Sequence, residues 1–119
     1  MLDSGTYIAV FLLPQQRRIE VGKLGAFVFE PGFYLYAGSA QRHLPARLAR
    51  HARREKPLRW HIDYLSTQAH MIGALLVPGP RRRECELARE LERLYIRVIP
   101  GFGASDCRCA GHLSYTRRL

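Results

Sequence analysis

Two hydrophobic periods divide the chain, and each change of period marks a change of element. Residues Tyr7–Leu13 are apolar, rich in β-branched and aromatic side chains, and stop at Pro14, which predicts a strand. Pro14–Arg17 reads as a turn, Arg18–Val21 as a short returning strand, Gly22–Gly25 as a break and Ala26–Glu30 as renewed extended chain. Pro31-Gly32 is a strong turn signal. Phe33–Ala37 is continuously apolar and aromatic, as expected of a central strand covered on both faces. Tyr34 and Tyr36 are two apart in it and so share a face, which makes Tyr34 a reserve candidate beside Tyr36.

From Leu44 the period lengthens. Leu44, Leu48 and Ala52 recur every four residues and predict one face of a helix, with Arg47, Arg50 and Arg54 on another and Pro57 as its end. Trp60–Leu65 mixes apolar and polar positions and leaves helix and strand both open. Met71–Val77 reads as a strand, and Pro78-Gly79-Pro80 as a break. Arg83–Tyr95 predicts a second helix whose buried stripe is Leu87, Ala88, Leu91, Leu94 and Tyr95. Arg97–Ile99 and His112–Tyr115 are candidate short strands on either side of a glycine-rich, irregular stretch. The sum is one α+β domain over residues 1–119: a small, mainly antiparallel sheet flanked by helices.

Composition adds direction. At 119 residues and 47% hydrophobic, the chain suits a folded domain with one modest core, not a disordered tail. Its net charge of +9 favours a polyanionic partner, nucleic acid ahead of an anionic membrane surface. The apolar runs are too short to span a bilayer, which needs about 20 residues, and no basic leader opens the chain. Three cysteines cannot all pair within one chain. That fits a reducing compartment, and a cytoplasmic location is expected.

The candidate chemistry lies where the periods meet. Tyr7 and Tyr36 each stand near a glycine, Gly5 and Gly38, which permits close backbone approach. Arg47 and His51 are four apart on one helix and share a face. An arginine fork suits a phosphate, and His51 could contact it, carry a proton or lie on the surface. In the second helix Glu84 precedes Leu87, Ala88 and Leu91, at the end of the apolar stripe, where a carboxylate can reach a site. Glu86 falls on a solvated face with Glu90 and Arg93. One carboxylate can hold a hard divalent cation that keeps several waters. Gly38 and Ser39 at the strand end, Arg50 and Arg54 on the first helix, and His61 are the candidate substrate contacts. Asp63 and Asp106 could also line the site, and on a strand His61 and Asp63 would share a face. Cys107, Cys109 and His112, with Cys85 or His61, could begin a zinc site. Cys-x-Cys is not the common knuckle spacing, so buried thiols or local structure are preferred over zinc, with a redox role as a third reading.

Gly5-Thr6-Tyr7 and Tyr36-Ala37-Gly38, followed by the basic segment Arg42–His51 and a helical Glu84, resemble the GIY-YIG nuclease superfamily. The stretches Trp60-His61-Ile62-Asp63-Tyr64-Leu65 and Gly101–Cys107 are more specific and resemble its DUF123 subgroup. The resemblance spans nearly the whole chain. It implies a GIY-YIG-like fold and a metal-dependent endonuclease acting on nucleic acid, DNA in the first place. In that mechanism Tyr7 takes a proton from water, directly or through a metal-bound hydroxide, Arg47 and Tyr36 steady the phosphate and Glu84 holds Mg²⁺ or Mn²⁺, while His51 follows Arg47 at the family's four-residue step and is counted with the catalytic residues. Thr6 and Ala37 replace the isoleucines that name the motifs. The chain also contains no asparagine, a residue common near the end of such nucleases. The alternative expectation is therefore a non-catalytic nucleic-acid-binding module on the same fold.

Overall fold

The computed structural model describes residues 3–77, 80, 83–97, 99–103 and 111–119. The alternation of the first segment becomes β1 (Gly5–Leu13), which buries Tyr7, Ala9, Phe11 and Leu13 on one face and turns Ile8 and Val10 to the other. A hairpin of β2 (Arg17–Val21) and β3 (Gly25–Phe29), joined by a single turn of 3₁₀ helix, forms a separate two-stranded sheet. Its Ile19, Val21 and Phe29 complete the first core. The next strand, β4 (Gly32–Ala40), runs three residues beyond the expected Ala37, so Gly38 lies inside it. Along β4, Tyr34, Tyr36 and Ala40 join the first core, while Leu35 and Ala37 join a second.

The first helix, α1 (Leu44–Ala52), starts from His43, whose φ of 55° is left-handed. Asp3 anchors this start: its carbonyl accepts from Leu44 N–H at 2.9 Å and its carboxylate from His43 N–H at 3.1 Å. The helix ends at Ala52, well before Pro57, because Arg53 turns extended (ψ 135°). The Lys56 amine then donates to the freed carbonyls of Arg50 (2.8 Å) and His51 (3.2 Å). Ala52 is exposed and His51 buried. The inward stripe is thus Leu44, Arg47, Leu48 and His51, spaced 3, 4 and 7 from Leu44, rather than Leu44, Leu48 and Ala52.

Trp60–Leu65 resolves as α2 (His61–Ser66). The deciding contact is Asp63, whose carboxylate reaches back to accept the backbone N–H groups of Arg59 (2.8 Å) and Trp60 (2.9 Å). A carboxylate at the third helical position satisfies orphan donors in this way. His61 and Asp63 therefore do not share a strand face. β5 (His70–Val77) follows, then α3 (Arg83–Leu94), β6 (Ile96–Arg97) and β7 (Leu113–Thr116). Leu87, Ala88 and Leu91 of α3 pack on Leu35 and Ala37. Leu94 is 72% exposed, so it is not part of the buried stripe, and Tyr95 lies just past the helix end.

The five-stranded sheet has the order β5-β1-β4-β7-β6, antiparallel throughout. β1 and β4 are its centre, with α1, α2 and the hairpin on one face and α3 on the other. The described residues form an α+β fold of an antiparallel sheet and three α-helices. Among the described residues no helix is long and apolar enough to cross a membrane.

Candidate functional site

The β1–β4 register sets Tyr7 opposite Gly38. The Tyr7 ring lies directly across that glycine: a Cβ at Gly38 would fall 2.5 Å from Tyr7 Cζ and Oη. Glycine is required there by space. So bedded, the ring is 1% exposed and its hydroxyl meets His51 Nε2 at 2.7 Å. Tyr36, two residues before Gly38 on the same face, rests on a second glycine. A Cβ at Gly103 would lie 2.9 Å from Tyr36 Cε1, and the φ of 70° there independently favours glycine. This loop is held to the sheet by His112, whose N–H donates to Phe102 O (2.8 Å) and whose carbonyl accepts from Ala37 N–H (3.0 Å). Tyr36 presents its ring edgewise to His51, centroids 5.9 Å apart.

Arg47, one turn before His51, donates from Nη1 to Ser39 O at 2.6 Å and sets its guanidinium 4.8 Å from the Trp60 ring centre. Ser39 points to the opposite face of β4, where its hydroxyl donates to Glu84 Oε1 at 2.7 Å. The other oxygen of Glu84 lies 3.0 Å from His112 Nδ1. His112 Nε2 in turn lies 3.9 Å from Cys85 Sγ. Tyr7, Tyr36, Arg47, His51, Ser39, Glu84 and His61 line one cavity of about 700 Å³ at the end of β1 and β4, and Arg42, His43, Arg59 and Trp60 lie at its wall and rim. Glu84 is the only carboxylate among the described residues that line it, against three arginines.

Burial decides the charge states. It raises the Tyr7 phenol above its ordinary value against the opposing charge of Arg47, and it raises Tyr36 likewise. Burial, reinforced by the Lys56 charge, lowers His51 to about 4. At neutral pH Tyr7 and His51 are thus a neutral phenol and a neutral imidazole. A phenol O–H that donates to Nε2 keeps the Tyr7 oxygen lone pairs as acceptors, with the Arg47 guanidinium beside them. His61 is also lowered by burial, and its Nδ1 accepts from Gly103 N–H at 2.8 Å, so its proton sits on Nε2.

The remaining sequence candidates fall elsewhere. Gly38 lies beneath Tyr7 as its bed. Arg50 is paired to the fully buried Asp63 by two bonds, 2.7 and 2.9 Å, and donates to Pro57 O at 2.9 Å. Its guanidinium, 4.4 Å from the Trp60 ring centre, supports the wall of the cavity. Arg54 lies beyond the end of α1, exposed and away from the cavity. The Tyr34 hydroxyl donates to Glu30 O at 2.6 Å, outside the cavity. Cys107, Cys109 and Asp106 lie outside the described residues. Among those described, no three His, Cys, Asp or Glu groups cluster to hold a metal.

The pattern missed Trp60, Arg42, His43 and Arg59 as cavity residues, and His112 as the partner of Glu84. Trp60 had one available signal, its place at the head of the Trp60–Leu65 stretch. The Glu84–His112 pair joins positions 28 apart and had none.

The Glu84 carboxylate has acceptor capacity left for a hard divalent cation. Each of its oxygens faces one partner, and a carboxylate has about four acceptor sites. Mg²⁺ is commonly held by one or two carboxylates, with waters and substrate phosphate completing its shell.

No curated protein and no solved structure matches the chain. Residues 6–119 match the family described as "Domain of unknown function DUF123", and the chain belongs to that family.

Proposed function

We propose that this chain is a phosphodiester hydrolase of the GIY-YIG type that acts on nucleic acid. The observation that carries the reading is the Tyr7–His51 hydrogen bond of 2.7 Å, set in the same cavity as Arg47, Tyr36 and Glu84. The net charge of +9 supports a polyanionic substrate.

A phosphodiester entering the cavity meets the Arg47 fork and the Tyr36 hydroxyl, both donors to its non-bridging oxygens. Water on the Tyr7 side gives a proton to the phenol oxygen as the phenol passes its own to His51 Nε2. The water oxygen bonds to phosphorus, the bond to the leaving oxygen breaks, and that oxygen takes a proton from solvent. His51, held well below its ordinary value, then returns its proton readily. Glu84 would hold Mg²⁺ or Mn²⁺, which would supply electrostatic stabilisation of the leaving oxygen. Donors aimed at the growing charge are each worth about 10²–10³ in rate.

The test is incubation with single-stranded, branched and damaged DNA and with RNA, plus Mn²⁺, for wild type, Arg47→Ala and Glu84→Ala. Cleavage by wild type that falls at least about 100-fold in both variants supports the reading. Cleavage that persists in both refutes the site. Salt-dependent binding with no cleavage by wild type replaces hydrolysis with the binding-module reading.

A further inference from the structure

Trp60 has no part in that mechanism, yet it is the chain's only tryptophan and it lines the cavity. The residue is 37% exposed, where a side chain of this size would normally find cover. The residue is also held in place. Its backbone N–H is held by Asp63, and the guanidiniums of Arg50 and Arg47 stand 4.4 and 4.8 Å from its centre. Both cations are themselves anchored, Arg50 by Asp63 and Arg47 by Ser39 O. The result is an aromatic plate braced by two cations, next to the arginine that would hold a phosphate.

We infer that Trp60 is a stacking platform for an unpaired nucleobase beside the phosphate at Arg47, so that the ligand is single-stranded or locally unpaired nucleic acid. The inference rests on the phosphodiester reading and narrows it. A base inside a continuous duplex has both π-faces covered by its neighbours and cannot lie on the indole. An unpaired base can, and base–aromatic stacking tolerates any base because each has a π-face. Cation–π contact with the two guanidiniums holds the indole in place.

Because Trp60 is unique, its intrinsic fluorescence reports the contact directly. Wild type would be titrated with a short oligothymidylate, with an all-abasic oligomer of the same length and charge, and with a blunt duplex. Trp60→Ala and Trp60→Phe would be followed by anisotropy. Oligothymidylate is expected to quench the emission, and the abasic oligomer to bind about 5- to 150-fold more weakly without quenching. Trp60→Ala is expected to lose a similar factor and Trp60→Phe to recover most of it. Equal binding and quenching by the abasic oligomer, or by the duplex, would overturn the inference. That comparison uses wild type alone, so it stands even if Trp60→Ala folds poorly. Loss of cleavage in Arg47→Ala, with abasic and normal oligomers bound alike, removes the platform and leaves the phosphodiester reading intact. Failure of every nucleic acid to bind at low salt removes both.

Discussion

Gly38→Ala reverses the sign of an ordinary substitution. Alanine for glycine at a compatible backbone position commonly stabilises a protein by about 0.4–1 kcal/mol, by restricting the unfolded chain. Gly38 has no positive φ, so its backbone accepts alanine. Space does not: the new methyl carbon would lie 2.5 Å from Tyr7 Cζ and Oη and 2.9 Å from Cε1. Carbon contacts are optimal near 3.5–4.0 Å, so the ring must withdraw by about 1 Å. It has nowhere to go without cost, being buried and hydrogen-bonded to His51. Overpacking of this kind costs about 1–3 kcal/mol, and weakening the buried hydroxyl–imidazole bond adds about 1 kcal/mol. After subtraction of the entropic gain, the variant should be destabilised by about 1–3 kcal/mol. At roughly 4 °C per kcal/mol for a chain of this size, Tm should fall by about 4–12 °C. Reversible thermal unfolding by circular dichroism measures it. In a Tyr7→Ala background the methyl group has room, and Gly38→Ala should become neutral or stabilising there. A raised or unchanged Tm in the single variant, or the same loss in both backgrounds, would refute the packing argument.

Three further outcomes are expected. Asp63→Asn should cost about 3–5 kcal/mol in chemical denaturation, because it strands the Arg50 and Lys56 charges against a buried amide; a loss below 1 kcal/mol would show that the pair contributes little. Burial pushes the Asp63 carboxyl up, but hydrogen bonds from Arg50, Trp60 and Arg59 outweigh it and hold the group below its usual 3.8, so its stabilisation is present above that value and lost as pH falls through the lower folded value. His51, at about 4 when folded against 6.5 when unfolded, should make stability fall by ~3 kcal/mol between those pH values as the unfolded chain takes up the proton first, and the slope should flatten in His51→Gln. Glu84→Gln should weaken Mn²⁺-supported cleavage at least tenfold at low Mn²⁺ and leave salt-dependent oligonucleotide binding within a factor of two; equal cleavage at every Mn²⁺ concentration would remove Glu84 as the cation ligand.

Where a period governs burial, the sequence anticipates the structure. β1 and the core of β4 follow from apolar alternation, and the two cores on either side of the sheet follow from the continuous run through Phe33–Ala37. Tyr7, Tyr36, Arg47, His51 and Glu84 line one cavity. The inward face of α1 was harder to read, since a buried neutral histidine and a half-buried arginine count as polar letters while exposed Ala52 counts as apolar. Arg50 looked free for substrate only because its partner Asp63 lies 13 residues on, in a helix too short to declare a period. Tertiary pairs of this kind leave no local trace. Neither does the use of Gly38 and Gly103 as beds for two tyrosine rings, although the tyrosine–glycine spacing was visible from the start.

The most direct test of the central claim is the single-turnover cleavage rate of Tyr7→Phe against wild type, with Mn²⁺, at a temperature where both are shown to be folded. The change removes one oxygen, the atom hydrogen-bonded to His51 at the cavity wall. If Tyr7 accepts the proton of the attacking water, the rate falls by about 10²–10⁴-fold while oligonucleotide affinity stays within a few-fold. An unchanged rate in the folded variant would contradict the account.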